Sequence, residues 1–185
     1  MITKNYIDDL RIDLSLKAKN GINFTLSAGF TWLLISWIWA LNFNSYNKSI
    51  LTFMAGALML PLALLFAKVL KIKMINKENQ LHPLGLWLNI SQLFYFPFLI
   101  FSLIKFPDNF VMIYVIITGA HFFPYSWFYK TNLYAIFAGI IAVGAMLLGL
   151  VSEPEDLYII PVFISVLLFL LTVLLYFDFK KKLND

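Results

Sequence analysis

The sequence predicts an all-α integral membrane protein, a bundle of six transmembrane helices with both termini cytoplasmic and an amphipathic N-terminal helix. Three observations carry this. Of 185 residues, 61% are hydrophobic and only 13% charged, against roughly 45–50% and 25% in a soluble domain. Six apolar stretches come close to the about 20 residues that cross a bilayer. The basic residues fall in short breaks between those stretches, and on one side of them.

Residues 1–20 come first. Ile7, Leu10, Leu14 and Ala18 recur at i, i+3, i+7 and i+11, with Asp8, Asp9, Asp13 and Lys19 off that stripe. This is an amphipathic helix that either lies on the cytoplasmic leaflet or packs on the cytoplasmic loops. The membrane domain follows over 21–178, with spans at about 22–41, 49–70, 84–104, 110–128, 133–151 and 157–177. The breaks read NFNSYNK, KIKMINKENQLHP, KFPDN, YKTN and SEPED, and none is long enough to hold a soluble domain. Residues 179–185 form a basic cytoplasmic tail.

Direction follows from the lysines and the single arginine. With the N-terminus inside, the inside segments hold Lys4, Arg11, Lys17 and Lys19, then Lys68, Lys71, Lys73 and Lys77, then Lys130, then Lys180 to Lys182. Only Lys48 and Lys105 fall outside, joined there by Glu153, Glu155 and Asp156. Trp37, Trp39, Tyr114 and Tyr158 on one side, and Trp87, Trp127, Tyr129, Tyr134 and Tyr176 on the other, are expected as interface anchors. No cleavable signal peptide is expected, because the first apolar run is long, Trp-rich and lacks a small-residue exit.

The same reading excludes several functions. Cysteine is absent, which removes disulfides and thiol chemistry. The middle thirds of the spans hold no Asp, Glu or Arg, which argues against carboxylate proton relays and ion coupling. Two histidines are too few for a buried metal centre. No G-x-S-x-G elbow or phosphate-binding glycine loop occurs. No metal, cofactor or catalytic residue is expected. Nor is nucleic acid, since the positive charge follows topology.

Neutral polar groups remain. Asn89 and Gln92 sit at i, i+3 on the third span, and Thr118, His121, Tyr125 and Tyr129 share a face of the fourth. Gln92 and His121 each lie about 12 Å in from the basic side at 1.5 Å per residue. The candidate ligand site is therefore Asn89, Gln92, Thr118, His121 and Tyr125. A neutral His121 offers one donor and one acceptor there. The alternative is an interhelical hydrogen-bond clamp. His82, just before Pro83, is expected to be a solvated loop residue.

Prolines add a second pattern. Pro61, Pro97 and Pro124 leave the carbonyls of Ala57, Leu93 and Ala120 without their helical partners, so three kinks are expected. They either open the bundle to internal water or serve packing alone. In the fifth span Ala135, Ala138, Gly139, Ala142, Ala145 and Gly149 make a small-residue face, for internal packing or for a homo-oligomer seam. The sixth span, VFISVLLFLLTVLLYF, is nearly uniform and reads as lipid-facing.

The run FVMIYVIITGAHFFPYSWFYKTNLYAIFAGIIAVGA, with LTFMAGALMLPLALLFAKVLKI and the NKEN of the inside loop, resembles an uncharacterised bacterial polytopic membrane-protein family, a DUF7010-like domain of unknown function. The resemblance covers nearly the whole chain. It implies a multi-pass protein of the bacterial inner membrane and carries over no activity and no functional residue. The leading expectation for function is binding or permeation of a small neutral or amphiphilic molecule at the polar cluster of spans three and four, as in a transporter, with membrane lipids around it. The alternatives are a membrane scaffold or partner subunit without a ligand, and an enzyme acting on lipid with His121 as its only good base.

Overall fold

The computed structural model describes residues 4–184 apart from positions 75 and 77. Lys77, counted above among the inside lysines, and residues 1–3 lie outside the described residues. Helix α1 (Lys4–Lys17) leads through a 3-10 turn (Lys19–Gly21) into α2 (Ile22–Ala40). Then come α3 (Ser45–Gly56), α4 (Met59–Val69), α5 (His82–Leu93), α6 (Phe96–Lys105), α7 (Phe110–His121), α8 (Phe123–Phe128), α9 (Leu133–Val151) and α10 (Ile159–Asn184). Among the described residues, six helices are long and apolar enough to cross a membrane: Lys19–Ala40, Ser45–Val69, His82–Lys105, Pro107–Phe128, Leu133–Val151 and Ile159–Asn184.

Among the described residues the nine helices α2 to α10 make six spans because three spans are broken, each at its proline. A proline cannot donate to the carbonyl four residues back. The chain tightens instead. Leu58 N–H bonds to Ala55 O at 3.0 Å ahead of Pro61, Tyr95 N–H to Gln92 O at 3.1 Å ahead of Pro97, and Phe122 N–H to Gly119 O at 3.0 Å ahead of Pro124. Pro161 breaks nothing, since it falls in the first turn of α10.

The core is the pair α2 and α10, which run against each other over most of their length. Ile164, Leu168, Leu171 and Leu175 of α10 are fully buried. This corrects the lipid-facing reading of the sixth span. A helix apolar all round carries no polar face to keep it at the periphery and is free to enter the core. Only its opposite side, with Val166 and Phe177, is exposed. The close approach uses small groups on α2. A Cβ at Gly29 would sit 2.9 Å from the Phe169 ring, the Ser165 hydroxyl donates to Gly29 O at 2.9 Å, and Thr172 donates to Thr25 at 2.8 Å. The last helix also runs on through Lys180 to Lys182 to Asn184, so the basic tail is helical as far as it is described.

Three predicted interface anchors prove to be core residues. Trp39 is buried and its indole N–H donates to Thr52 Oγ1 at 2.9 Å. Tyr129 and Tyr134 are buried as well. Each has an interior hydrogen-bond or ring partner, which outweighs the pull of the headgroup level. In α9 the small face is largely consumed inside the bundle. Ala138 and Ala145 are buried, Gly144 packs on Phe163 and Gly149 on Met112, while nothing lies within 4 Å of a Cβ built at Gly139.

Candidate functional site

One end of the bundle gathers α1, the 70–82 loop, the α8–α9 turn and the C-terminal part of α10. Helix α1 packs there on the protein rather than lying apart from it. Its Asp13 carboxylate accepts from Asn76 and Asn79, each at 2.7 Å, and pairs with Lys17 at 2.8 Å. Asn79 also donates to Leu10 O at 2.8 Å. Arg11 stacks over Trp127 at 4.8 Å, donates to its carbonyl at 2.5 Å, and pairs with Asp8, which in turn holds Lys130 at 3.2 Å. Both acids respond. Lys130, and then Arg11, hold the Asp8 carboxyl below its ordinary value. Partial burial pushes the Asp13 carboxyl up, but Lys17, Asn79 and Asn76 together outweigh it and leave it below 3.8.

Behind α1 lies a buried polar knot centred on Asn20. The chain turns there through left-handed backbone at Lys19 (φ 47°), Asn20 (φ 55°) and Gly21 (φ 74°). Glycine is needed at the last position, where a Cβ would meet the Tyr129 ring at 3.0 Å on a strained backbone. Asn20 Nδ2 donates to Leu175 O at 3.0 Å and to Asp178 at 2.8 Å. Its Oδ1 accepts from Ser15 and from Lys182, and its carbonyl from the Tyr134 hydroxyl at 2.7 Å. Lys182 completes the knot with Asp178 at 2.7 Å and Tyr129 O at 2.9 Å. A fully partnered buried network fixes geometry as much as it stabilises.

Together these contacts roof a cavity of about 570 Å³. The roof is Leu14, Lys17 and Ala18. The inner wall is Phe24 and Thr25 of α2, the outer wall Gly85, Leu86 and Asn89 of α5. His121, Phe122, Tyr125 and Phe128 close the side toward α7 and α8, and Lys73, Asn76 and His82 form the rim. The volume lies within the roughly 300–1,000 Å³ of small-molecule sites, and a mostly apolar lining with a few polar groups is their usual character.

The sequence-derived candidates divide here. His121, Tyr125 and Asn89 line one cavity. The Tyr125 hydroxyl stands 3.5 Å from His121 Nε2, with the two rings edge-to-face at 5.3 Å. Asn89 donates to Gly85 O of its own helix at 2.8 Å, so its amide oxygen is left for another partner. Gln92 is not part of the wall. It is about 60° round the helix from Asn89 and nearly a turn farther in, where α5 is about to break. Thr118 is turned to its own helix, donating to Tyr114 O at 2.8 Å. His82 is not a loop residue: it opens α5, is half-buried, and its Nε2 bonds Met74 O at 3.0 Å.

Sequence reasoning missed the aromatic floor. Tyr125 stacks with Tyr129 at 6.0 Å, Tyr129 with Tyr134 at 5.9 Å, and Phe128 meets Tyr129 edge-on at 4.8 Å. The available signal was the i, i+4 spacing of Tyr125 and Tyr129 one short turn ahead of Tyr134, which brings three phenols to one corner. Packing of α1 on an inside loop was one of the two expectations for residues 1–20, but its particular partners were not foreseen, because Asn76 and Asn79 are more than sixty residues from Asp13 in sequence. No group of three or more His, Cys, Asp or Glu able to hold a metal occurs among the described residues.

No curated protein and no solved structure matches the chain. A family match does extend over residues 7–178, which takes in α2 to α9, nearly all of α1 and most of α10. The chain therefore belongs to DUF7010, a family of unknown function.

Proposed function

We propose that this multi-pass membrane protein binds a small neutral or amphiphilic molecule in the cavity at the basic end of the bundle, with His121, Tyr125 and Asn89 as its polar contacts. The observation that carries the reading is the shape of the His121 surroundings. A sealed hydrogen-bond clamp would leave Asn89 and His121 in mutual contact. Instead both border the same open volume of about 570 Å³, and no hydrogen bond joins them. Apolar walls suit a hydrocarbon portion, and the neutral imidazole, phenol and amide suit a hydroxyl or ester group. The twelve basic residues that the sequence holds in its inside segments favour an orientation with the cavity mouth toward the cytoplasm of a bacterial inner membrane. Permeation then requires a second opening, for which the loosely packed third span is the natural gate.

The test uses protein in phosphatidylcholine nanodiscs and radiolabelled monododecanoylglycerol as probe. Leu86 lines the cavity from an exposed helix face. Leu86→Trp fills the cavity from that side and is expected to weaken probe binding at least about tenfold, or 1.4 kcal/mol. Unchanged binding in Leu86→Trp would remove the cavity as the site.

A further inference from the structure

The cavity has an electrically uneven rim. Three polar groups of its roof and rim are already satisfied. Lys17 is neutralised by Asp13 at 2.8 Å, Asn76 gives its amide to Asp13 and accepts from Lys17, and His82 is bonded to Met74 O. Lys73 differs. It lines the cavity and is exposed, and among the described residues no carboxylate pairs with its ammonium. The acids nearest this rim do not counter it. Asp13 is fully occupied, and Glu78 points to solvent with its side chain 91% exposed, 3.9 Å from Lys17. The rest of the volume runs inward beside Leu86 and Phe122 to His121, about 12 Å of helix from the turn at Tyr129. Among the described residues Lys73 is the free cation lining this apolar slot, and such a cation is the complement of an anion at the end of one chain.

We propose that the preferred ligand is a single-chain amphiphile with an anionic head, a carboxylate or a phosphate monoester, held at Lys73 with its chain along the apolar wall of Leu86 and Phe122. This rests on the cavity being a binding site and adds the sign of the headgroup. The carboxylate and phosphate cases share the same chemistry at Lys73. They differ in charge and in the number of acceptor oxygens, so matched probes separate them.

The experiment compares dodecanoate, dodecyl phosphate and dodecanol binding to the full chain in phosphatidylcholine nanodiscs at pH 8. At least one anion is expected to bind about tenfold more tightly than dodecanol, or 1.4 kcal/mol. Lys73→Gln should bring that ratio close to one, Lys73→Glu should invert it, and Lys73→Arg should keep it. Lys71→Gln is the control: Lys71 is exposed on the same loop but absent from the cavity wall, so its loss should leave the ratio unchanged. Equal binding of all three probes overturns the headgroup assignment and leaves the cavity as a neutral site. An equal drop in Lys71→Gln and Lys73→Gln overturns it in favour of general surface charge. Failure of every probe to bind overturns the site reading itself.

Discussion

The first and third spans are both apolar helices of similar length, yet the protein treats them in opposite ways. Lys19–Ala40 is 67% buried inside the bundle, and His82–Lys105 only 17%. The first span achieves this with small and hydroxylic residues. Gly29 lets α10 approach closely, and Thr25 and Gly29 accept hydrogen bonds from it. In a bilayer, where burial of apolar surface supplies little drive, such close contact and such bonds are what hold helices together. The third span offers Leu86, Trp87, Leu93, Phe94 and Tyr95, all exposed and bulky. It hangs on the bundle mainly through α6 and the start of α5, broken between them at Phe94 and Tyr95. The cavity lies where the rigid span and the loose one fail to close on each other.

The contrast can be broken most forcefully in the core. Leu168→Ala, at a fully buried position facing α2, is expected to destabilise the protein by about 2–5 kcal/mol. Leu93→Ala on the exposed face of α5 should stay within about 0.5 kcal/mol. Thermal unfolding of the two variants in one detergent checks the pair, and comparable losses would erase the distinction. Next in size is Asn20→Ala, which strands Asp178, Ser15 and Lys182 in the buried knot. About 1–3 kcal/mol should be lost, read by the same melting curves. Such a loss would extend the rigid half of the molecule down to its basic end.

Smaller and more local effects sharpen the boundary at α1. Asp13 has a depressed carboxyl, so the docking it supports is present above the ordinary value of 3.8 and is lost as pH falls through the lower folded value. Lys17 is raised by Asp13, so its share is complete below 10.5 and fades at higher pH. Protection factors of the amides of α1 and of the loop it packs on, corrected for the intrinsic pH dependence of exchange, should therefore be flat from about pH 5 to 9 and fall below about pH 4. The α2–α10 amides should not follow. Asp13→Asn should give fast exchange in α1 at every pH. The smallest effect is expected at Tyr125→Phe, about 0.6 kcal/mol or less on stability, because its hydroxyl reaches His121 only at 3.5 Å. A large loss there would mean the pair is a clamp rather than part of a cavity wall.

Much of this was legible from residue types alone. Six spans, three proline breaks and the gathering of basic residues at one end follow from run length, from the missing proline N–H and from loop charge, all of which act locally along the chain. The place of α10 was not read, because only two hydroxyls in VFISVLLFLLTVLLYF mark a face: Ser165 and Thr172, seven apart, lie on the Leu168 side and bond to α2, and the otherwise uniform run hid them. Asn20 and Ser15 carry no local signal, and only the return of α10 with Asp178 and Lys182 makes them a knot. His121, Tyr125 and Asn89, chosen by depth and periodicity, border one cavity. Gln92 and Thr118 were included on the same grounds, and side-chain direction separated them from the wall.

The most direct test of the cavity is covalent labelling. A monoacylglycerol whose chain ends in a diazirine, photolysed with the protein in phosphatidylcholine nanodiscs and mapped by peptide mass spectrometry, reports where the hydrocarbon rests. The account predicts saturable labels on Leu86 and Phe122, suppressed by Leu86→Trp. Labels confined to lipid-exposed positions such as Leu64 and Val166, growing in proportion to probe, would contradict it.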